Sequence, residues 1–155
     1  MSTDVVHRMK ALVQSKGSCV LATSAGDKPH CSLMVYAADD QCREIYMVTY
    51  RKGTKYANLK ENPNVSLLID TREEHQGEDR PKAMALTVNG IFHEVREPGR
   101  KAVVARQLLD RHPHIGDLVN HAEAAVFAVK VTSFLLLDGL TDAHYHVVDT
   151  QWEQG

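Results

Sequence analysis

Residues 45–69, IYMVTYRKGTKYANLKENPNVSLLI, constrain the fold more strongly than any other part of the chain. The first six of these residues are mostly β-branched or aromatic, which predicts a strand. Gly53 then allows the backbone to turn, and Thr54 is suited to cap a helix. The residue before a proline avoids helical geometry, so the helix ends at Asn62-Pro63 and the last apolar run forms a second strand. The segment is predicted to be strand, loop, helix and strand.

Cationic and hydroxyl groups are concentrated where this first strand meets the helix. A helix N-terminus has unpaired N–H groups and partial positive charge, so the backbone partly solvates an anion placed there. Thr49, Thr54 and Lys55 would add two hydroxyls and an ammonium. The alternative interpretation is that Arg51, Lys52 and Lys55 form a solvated surface loop. The layout is typical of a phosphate-binding site, and the order of the upstream elements favours that interpretation.

The elements upstream of this segment are a helix and a β-hairpin. Residues 4–16 have apolar side chains at helical spacing, and Gly17 is suited to end that helix. Two apolar runs, 19–23 and 30–37, flank a turn at residues 25–29 and predict the hairpin. The chain therefore opens with a helix and a three-stranded meander, whose third strand is the one that starts at Ile45 and leads into the loop and helix described above.

The spacing of residues in this half of the chain resembles the pyridoxamine 5′-phosphate oxidase-like family of FMN-binding split barrels. In that family a hairpin strand begins after "G-x-P", and here the glycine is Gly26, one residue further from the proline. The family then has a strand that ends in threonine, a lysine six residues later, and "N-L-x-x-N-P-x-V-S-L". The corresponding residues here, in order and at matching spacing, are Pro29, Thr49, Lys55, Asn58-Leu59, Asn62-Pro63 and Val65-Ser66-Leu67.

The second half of the chain resembles the family mainly in the order of its elements. Residues 82–95 are predicted to form a long strand that contains VNGIFHEV, which is similar to the family's "v-x-G-x-a-x-x-v". Pro98–Arg111 is predicted to be a helix, because proline is tolerated in a first turn. Residues 127–137 form the predicted closing strand. The predicted buried side of the helix consists of Val103, Val104, Leu108 and Leu109.

The resemblance implies a mainly β fold, a six-stranded antiparallel Greek-key barrel with flanking helices, in a single domain over residues 1–155. It implies FMN as the cofactor and a homodimer with the flavin at the subunit interface. The implied function is that of an FMN-binding flavoprotein, a flavin-dependent oxidoreductase that acts on a small-molecule redox substrate. Some relatives use a deazaflavin instead, and the sequence leaves the choice of flavin and of substrate open.

The resemblance also places the flavin phosphate on particular residues. Thr49 and Lys55 correspond to the family's strand-end hydroxyl and phosphate-binding lysine. Thr54 and Ser32 stand where the oxidases have arginines, so two bidentate contacts to a phosphate are missing. Arg51 and its neighbour Lys52 are candidates for replacing that charge.

The resemblance places the flavin ring against an apolar wall. The wall would consist of Leu33, Met34 and Val48, and backbone groups of the hairpin strand would bond the polar edge of the ring. A further departure from the oxidases is Ala85, which lies near the position of a glutamine.

The C-terminal region differs from that of the true oxidases. Those enzymes hold the phosphate of their substrate with an arginine-x-histidine pattern, whereas residues 142–148, DAHYHVV, contain no arginine. Oxidation of a vitamin B6 phosphate is therefore not expected. No residue is assigned as a general acid or base, although Tyr50, His93 and His144 are candidates.

The histidines support an alternative function. His144 and His146 are two apart on a predicted strand and so point to one face, as metal ligands do, and some relatives bind haem through C-terminal histidines. The alternative is thus a non-catalytic carrier or sensor that holds haem, a metal or a flavin. Because the chain has no Cys-x-x-Cys pair and no helical His-x-x-x-His pair, surface or interface positions are favoured and no metal site is assigned.

Charge and composition narrow the remaining classes of partner. The net charge of −2 gives no basic field for nucleic acid, and no run of apolar residues is long enough for a membrane span. Residues 1–10 lack the apolar core of a signal peptide. Three cysteines, an odd number, are best explained by burial. These observations predict a cytoplasmic protein with an exposed loop at residues 71–81.

Overall fold

The computed structural model describes residues 3–148, which form eight strands and four α-helices. Short 3₁₀ turns occur at Gly77–Lys82 and Pro113–Ile115. The elements in chain order are α1 (Thr3–Ser15), β1 (Ser18–Ala25), β2 (Lys28–Val35), β3 (Ala37–Ala38), β4 (Glu44–Tyr50), α2 (Thr54–Glu61), β5 (Asn64–Asp70), β6 (Met84–Glu94), α3 (Pro98–Arg111), α4 (Gly116–Val119), β7 (Ala124–Asp138) and β8 (Asp142–Val147).

The strands form one curled antiparallel sheet, a half-barrel with flanking helices. Its strand order is β2-β1-β5-β6-β7-β4-β3, and β8 also pairs with β7. The predicted fold class is therefore confirmed, but the predicted count of six strands is too low among the described residues. The two additional strands are β3, which pairs only two residues with β4, and β8, which extends the sheet beside β7.

Side chains alternate between the two faces of the sheet, and each face has its own core. Ile45 and Met47 of β4 point to the inner face, where α1 packs, and both are fully buried. Tyr46 and Val48 point to the outer face and pack against α3. We use "inner face" and "outer face" in this sense throughout.

Helix α3 covers only part of the outer face. It buries Val104 and Leu108, and Leu109 packs at the margin of the same cluster. Val103 is 58% exposed, so its predicted place on the buried side is wrong. The buried positions are spaced four apart, and Val103 lies one residue off that line, which turns it toward solvent.

Gly90 allows the close approach of β6 to β7. The register between these strands shifts between Asn89 and Gly90, which marks a β-bulge. A Cβ at Gly90 would lie 2.5 Å from Cγ1 of Val129 and 2.6 Å from the carbonyl oxygen of Lys130. Only glycine fits this position without moving the backbone of β7.

Candidate functional site

Strand β4 brings Thr49 to the inner face of the sheet, near the beginning of α2. Thr49 follows Ile45 and Met47 at intervals of two residues, and its side chain is buried. A short loop, residues 51–53, joins β4 to helix α2. The helix contacts both β1 and β4. The amide of Asn58 donates a hydrogen bond to the hydroxyl of Thr23 at 3.4 Å, which ties the helix to β1.

The N-terminus of α2 has no side-chain cap. Gly53, not Thr54, is the N-cap residue, and its backbone is extended. The predicted capping role of Thr54 is therefore wrong, because Thr54 is already the first helical residue and its side chain is exposed. The first N–H groups of the helix thus receive no bond from a cap side chain, and this end of α2 is suited to an anion.

Lys55 points from the first turn of α2 toward β2. Its Nζ donates a hydrogen bond to Sδ of Met34 at 3.0 Å, and Met34 is buried. Within residues 3–148, no carboxylate forms a salt bridge with Lys55. Burial lowers the pKa of Lys55 below its ordinary value. A thioether is a weak acceptor, so the ammonium retains unused capacity to bind an anion.

Ser32, on β2 with Met34, is a second polar residue with unused hydrogen-bonding capacity. It lies two residues before Met34, and side chains at that spacing share a face of a strand. The Oγ atom of Ser32 is buried and has no hydrogen-bond partner among the described residues. Buried polar atoms are normally paired, so this hydroxyl is suited to a ligand. Ser32, Met34 and Lys55 therefore form one candidate anion site.

Two of the residues predicted to form the apolar wall for the flavin ring, Leu33 and Val48, do not lie on the face of the sheet that contains Met34. Leu33 is on the opposite face of β2 from Ser32 and Met34, and it is 77% exposed. Val48 is buried on the outer face among residues of α3 and β7. The structure therefore does not bring Val48 to the side of the sheet on which Thr49 lies, because adjacent residues of a strand point in opposite directions. Within one chain, Met34 and Val48 lie in the cores of opposite faces of the sheet.

Arg51 is committed to other partners. Its guanidinium donates to Oε2 of Glu94 at 2.7 Å and to the carbonyl oxygen of Ala124 at 2.8 Å. The predicted alternative, Lys52, is exposed and 4.0 Å from a carboxylate oxygen of Glu123. Neither cation therefore adds an unpaired charge to the candidate anion site.

Glu94 is the residue near this site that sequence analysis missed. Its side chain is 5% exposed and accepts hydrogen bonds from Tyr56 at 2.5 Å, Arg51 at 2.7 Å and Arg96 at 3.4 Å. Burial opposes ionisation most strongly, but the bonds from Tyr56 and Arg51 together outweigh it and lower the pKa of Glu94. The carboxylate therefore remains charged beside the start of α2.

His144 and His146 share a face of β8, as predicted. They pair in register with Leu136 and Phe134, which are core residues of the inner face, and both histidines are half-buried. Within residues 3–148, no three or more His, Cys, Asp or Glu side chains are grouped closely enough to hold a metal ion. Across the same residues, none of the helices is both long and apolar enough to span a membrane.

Several solved structures share this fold. A haem-binding protein from Mycobacterium smegmatis matches with a TM-score of 0.82 at 14% identity, over 95% of this chain and 59% of that protein. HutZ, the haem storage protein from Vibrio cholerae, matches with a TM-score of 0.67 at 18% identity, over 89% and 92% of the two chains. The conserved hypothetical protein Rv2991 from Mycobacterium tuberculosis matches with a TM-score of 0.70 at 24% identity, over 97% and 94%.

At these levels of identity the matches establish the fold alone. The chain spans only 59% of the length of the M. smegmatis protein. Comparison with curated proteins gives no match. The sequence profile described as pyridoxamine 5′-phosphate oxidase, however, matches residues 5–136, which is most of the chain. The chain therefore belongs to the pyridoxamine 5′-phosphate oxidase family.

Proposed function

We propose that this protein is an FMN-binding flavoprotein that holds the flavin phosphate at Ser32, Lys55 and the N-terminus of α2. Two features of the described residues support this most directly. The hydroxyl of Ser32 is buried without a hydrogen-bond partner, and the ammonium of Lys55 has no carboxylate partner. Among the described residues, neither group has an adequate partner. A phosphate oxygen would satisfy both of them.

Burying polar groups without hydrogen-bond partners costs free energy. A buried hydroxyl without a hydrogen bond costs about 1–3 kcal/mol. A partly buried ammonium that faces a thioether is also poorly solvated, as the lowered pKa of Lys55 indicates. An anion in the site would form charge-assisted hydrogen bonds with Lys55 and the backbone N–H groups of α2. The site is therefore prepared for an anion before one binds.

Among the residues that the structure describes, Lys55 is the one cation of the proposed phosphate site without a carboxylate partner. Thr54 and Ser32 replace the arginines that the oxidases have, and Arg51 is paired with Glu94. A phosphate held by one lysine, hydroxyls and a helix N-terminus is bound less tightly than one held by two bidentate arginines. Thr49 is proposed to contribute through its hydroxyl from the end of β4.

The protein residues in this account bind and orient the flavin. When bound, FMN supplies redox chemistry, because its ring takes up and releases electrons. Met34 would provide apolar contact beside the phosphate site, whereas Leu33 faces away from that site within one chain. We propose a small-molecule redox substrate and an oxidoreductase activity, with no residue assigned as an acid or base.

We also propose that the active form is a homodimer that joins through the outer face of the sheet. One row of paired residues crosses six strands on this face, and all but one of them are apolar. Leu33, at the end of this row, is on the edge strand β2, which has Ser32 and Met34 on its opposite face, so the interface would reach the strand that contributes to the flavin site. The outer row consists of Leu33, Val20, Leu68, Thr87, Leu135 and Tyr145.

The cysteines favour a reducing compartment, and we propose a cytoplasmic location. All three are free thiols, with Cys19 and Cys42 buried and Cys31 exposed. Burial raises the pKa of Cys19 to about 12, so this thiol is unreactive at neutral pH.

Haem binding is the second candidate function. The specific observation is that His144 and His146 are half-buried on one face of β8. Two structural neighbours, from M. smegmatis and V. cholerae, are a haem-binding protein and a haem storage protein. In this account the protein would be a carrier or sensor without catalysis.

The visible absorbance spectrum of the purified protein distinguishes the two candidates. The proposal predicts a flavin spectrum, or its appearance on adding FMN, with about one FMN released per chain. A Soret band that is lost in His144→Ala and His146→Ala variants would instead establish haem binding. A folded, colourless protein that binds neither molecule would contradict both.

A further inference from the structure

Glu94 lies at the centre of a hydrogen-bond network that joins three separate elements around the start of α2. It is on β6, Arg51 is in the loop after β4, and Tyr56 is in the first turn of α2. Its two carboxylate oxygens are used separately: Oε2 accepts from Arg51, and Oε1 accepts from Tyr56 and, at a longer distance, from Arg96. One side chain thus holds both ends of the short segment that contains Lys55.

The members of this network have further contacts with the sheet. Arg51 also donates to the carbonyl oxygen of Ala124 on β7, and its backbone N–H donates to the carbonyl of Glu123. The ring of Tyr56 packs edge-on against Phe92, two residues before Glu94 on the same face of β6. The loop and the first helical turn are therefore attached to the sheet from both sides of Lys55.

We propose that Glu94 is a positioning residue for the phosphate site, acting through Arg51 and Tyr56 to fix the N-terminus of α2 and the direction of Lys55. This inference rests on the proposed function. Glu94 does not itself contact the ligand in this account. A negatively charged side chain beside the start of α2 is tolerated because two arginines and a tyrosine donate to its oxygens.

A second buried ion pair provides a matched control. Glu44 has a side chain that is 11% exposed, and both of its oxygens accept from Arg100 at 2.7 Å. This pair joins β4 to α3, and neither of its residues is in α2. Loss of either carboxylate removes a buried ion pair and lowers stability, but only Glu94 is connected to the helix that bears Lys55.

The test compares FMN with riboflavin, which has the same ring and ribityl chain but no phosphate. We would measure the dissociation constants of both ligands for wild-type protein, Glu94→Gln and Glu44→Gln by equilibrium titration. Glu94→Gln is expected to weaken FMN binding about tenfold and to change riboflavin binding little. Glu44→Gln is expected to leave the FMN-to-riboflavin ratio at its wild-type value.

A purely structural role for Glu94 would lower the affinity for both flavins equally, and that result would overturn the inference. Tyr56→Phe keeps the contact with Phe92 and removes only the bond to Glu94, so it gives the same readout if Glu94→Gln fails to fold. If wild-type protein does not prefer FMN over riboflavin, the proposed function and this inference both fail. If Lys55→Ala abolishes the preference while Glu94→Gln and Tyr56→Phe retain it, the inference alone fails.

Discussion

The ammonium of Lys55 lies 3.0 Å from the sulfur of Met34, so a charged group on a helix meets a thioether on an edge strand. A lysine in this setting gains little from its protein partner. Together with the unpaired hydroxyl of Ser32, this contact explains why the site is suited to an anion.

Ser32→Ala is expected to affect stability and binding in opposite directions. Removal of this buried hydroxyl should either leave the free energy of unfolding of the ligand-free protein unchanged or raise it by up to about 1 kcal/mol. The same change removes a ligand contact and should weaken FMN binding about fivefold. Urea unfolding and FMN titration measure the two effects.

Ser133→Ala provides the contrast for that measurement. Ser133 is also buried, but its hydroxyl accepts a hydrogen bond from the amide of Asn89 at 3.1 Å. Its removal should lower the free energy of unfolding by about 1 kcal/mol or more and leave FMN binding unchanged. A Ser32→Ala protein that loses as much stability as Ser133→Ala would show that Ser32 is already satisfied within the protein.

FMN affinity is expected to fall in alkaline solution. A lysine is charged only below its pKa, and burial places the pKa of Lys55 below the ordinary 10.5. As the pH rises through this lowered value, the ammonium loses its proton and its attraction for phosphate. Titrations between about pH 7 and pH 10 should show the loss, and riboflavin corrects for titration of the ring. An FMN affinity that stays constant relative to riboflavin would exclude a role for the charge of Lys55.

Leu68→Asp is expected to convert the proposed homodimer to a monomer. Leu68 is in the outer row, and a carboxylate there would be buried without a partner in a dimer interface. Val103→Asp is the control, because Val103 is an exposed apolar residue on α3, away from that row. Light scattering coupled to size-exclusion chromatography gives the masses. If both variants remain dimeric, the interface lies elsewhere.

Gly90→Ala is expected to destabilise the fold strongly. The added Cβ would lie within 2.6 Å of the backbone of β7, so the strands would have to separate. We expect a loss of about 1–3 kcal/mol in the free energy of unfolding. Gly116→Ala should be neutral or stabilising, because Gly116 has helical dihedral angles and an added Cβ would meet Cδ2 of Leu109 at 3.8 Å, an ordinary van der Waals contact. Thermal unfolding of the two variants compares them directly.

The sequence predicted the strand-loop-helix-strand segment closely, because proline, glycine and β-branched residues act locally. It was less successful with side-chain direction. Alternation of side chains along β4 places Val48 and Thr49 on opposite faces of the sheet. The family resemblance assigned both residues to one flavin site and did not take this alternation into account. The residue spacing on α3 similarly did not distinguish Val103 from Val104.

The Glu94 network could not be predicted from the sequence. Glu94 and Arg51 are 43 residues apart, and the pairing of β6, β7 and β4 is what brings them together. Charged residues in a loop are usually solvated, so nothing in the local pattern marks Arg51 as paired. The unpaired state of Ser32 likewise depends on the packing around β2, which the sequence does not specify.

An FMN titration of three proteins, wild type, Lys55→Ala and Lys60→Ala, tests the central claim most directly. Lys60 is an exposed lysine near the other end of α2 and serves as the control for loss of a positive charge. The account predicts that wild type and Lys60→Ala bind about one FMN per chain with equal affinity. Lys55→Ala should bind FMN about ten- to a hundredfold more weakly, and more weakly still when Thr49→Ala is added. A folded Lys55→Ala protein with the FMN affinity of the wild type would contradict the assignment of the phosphate site.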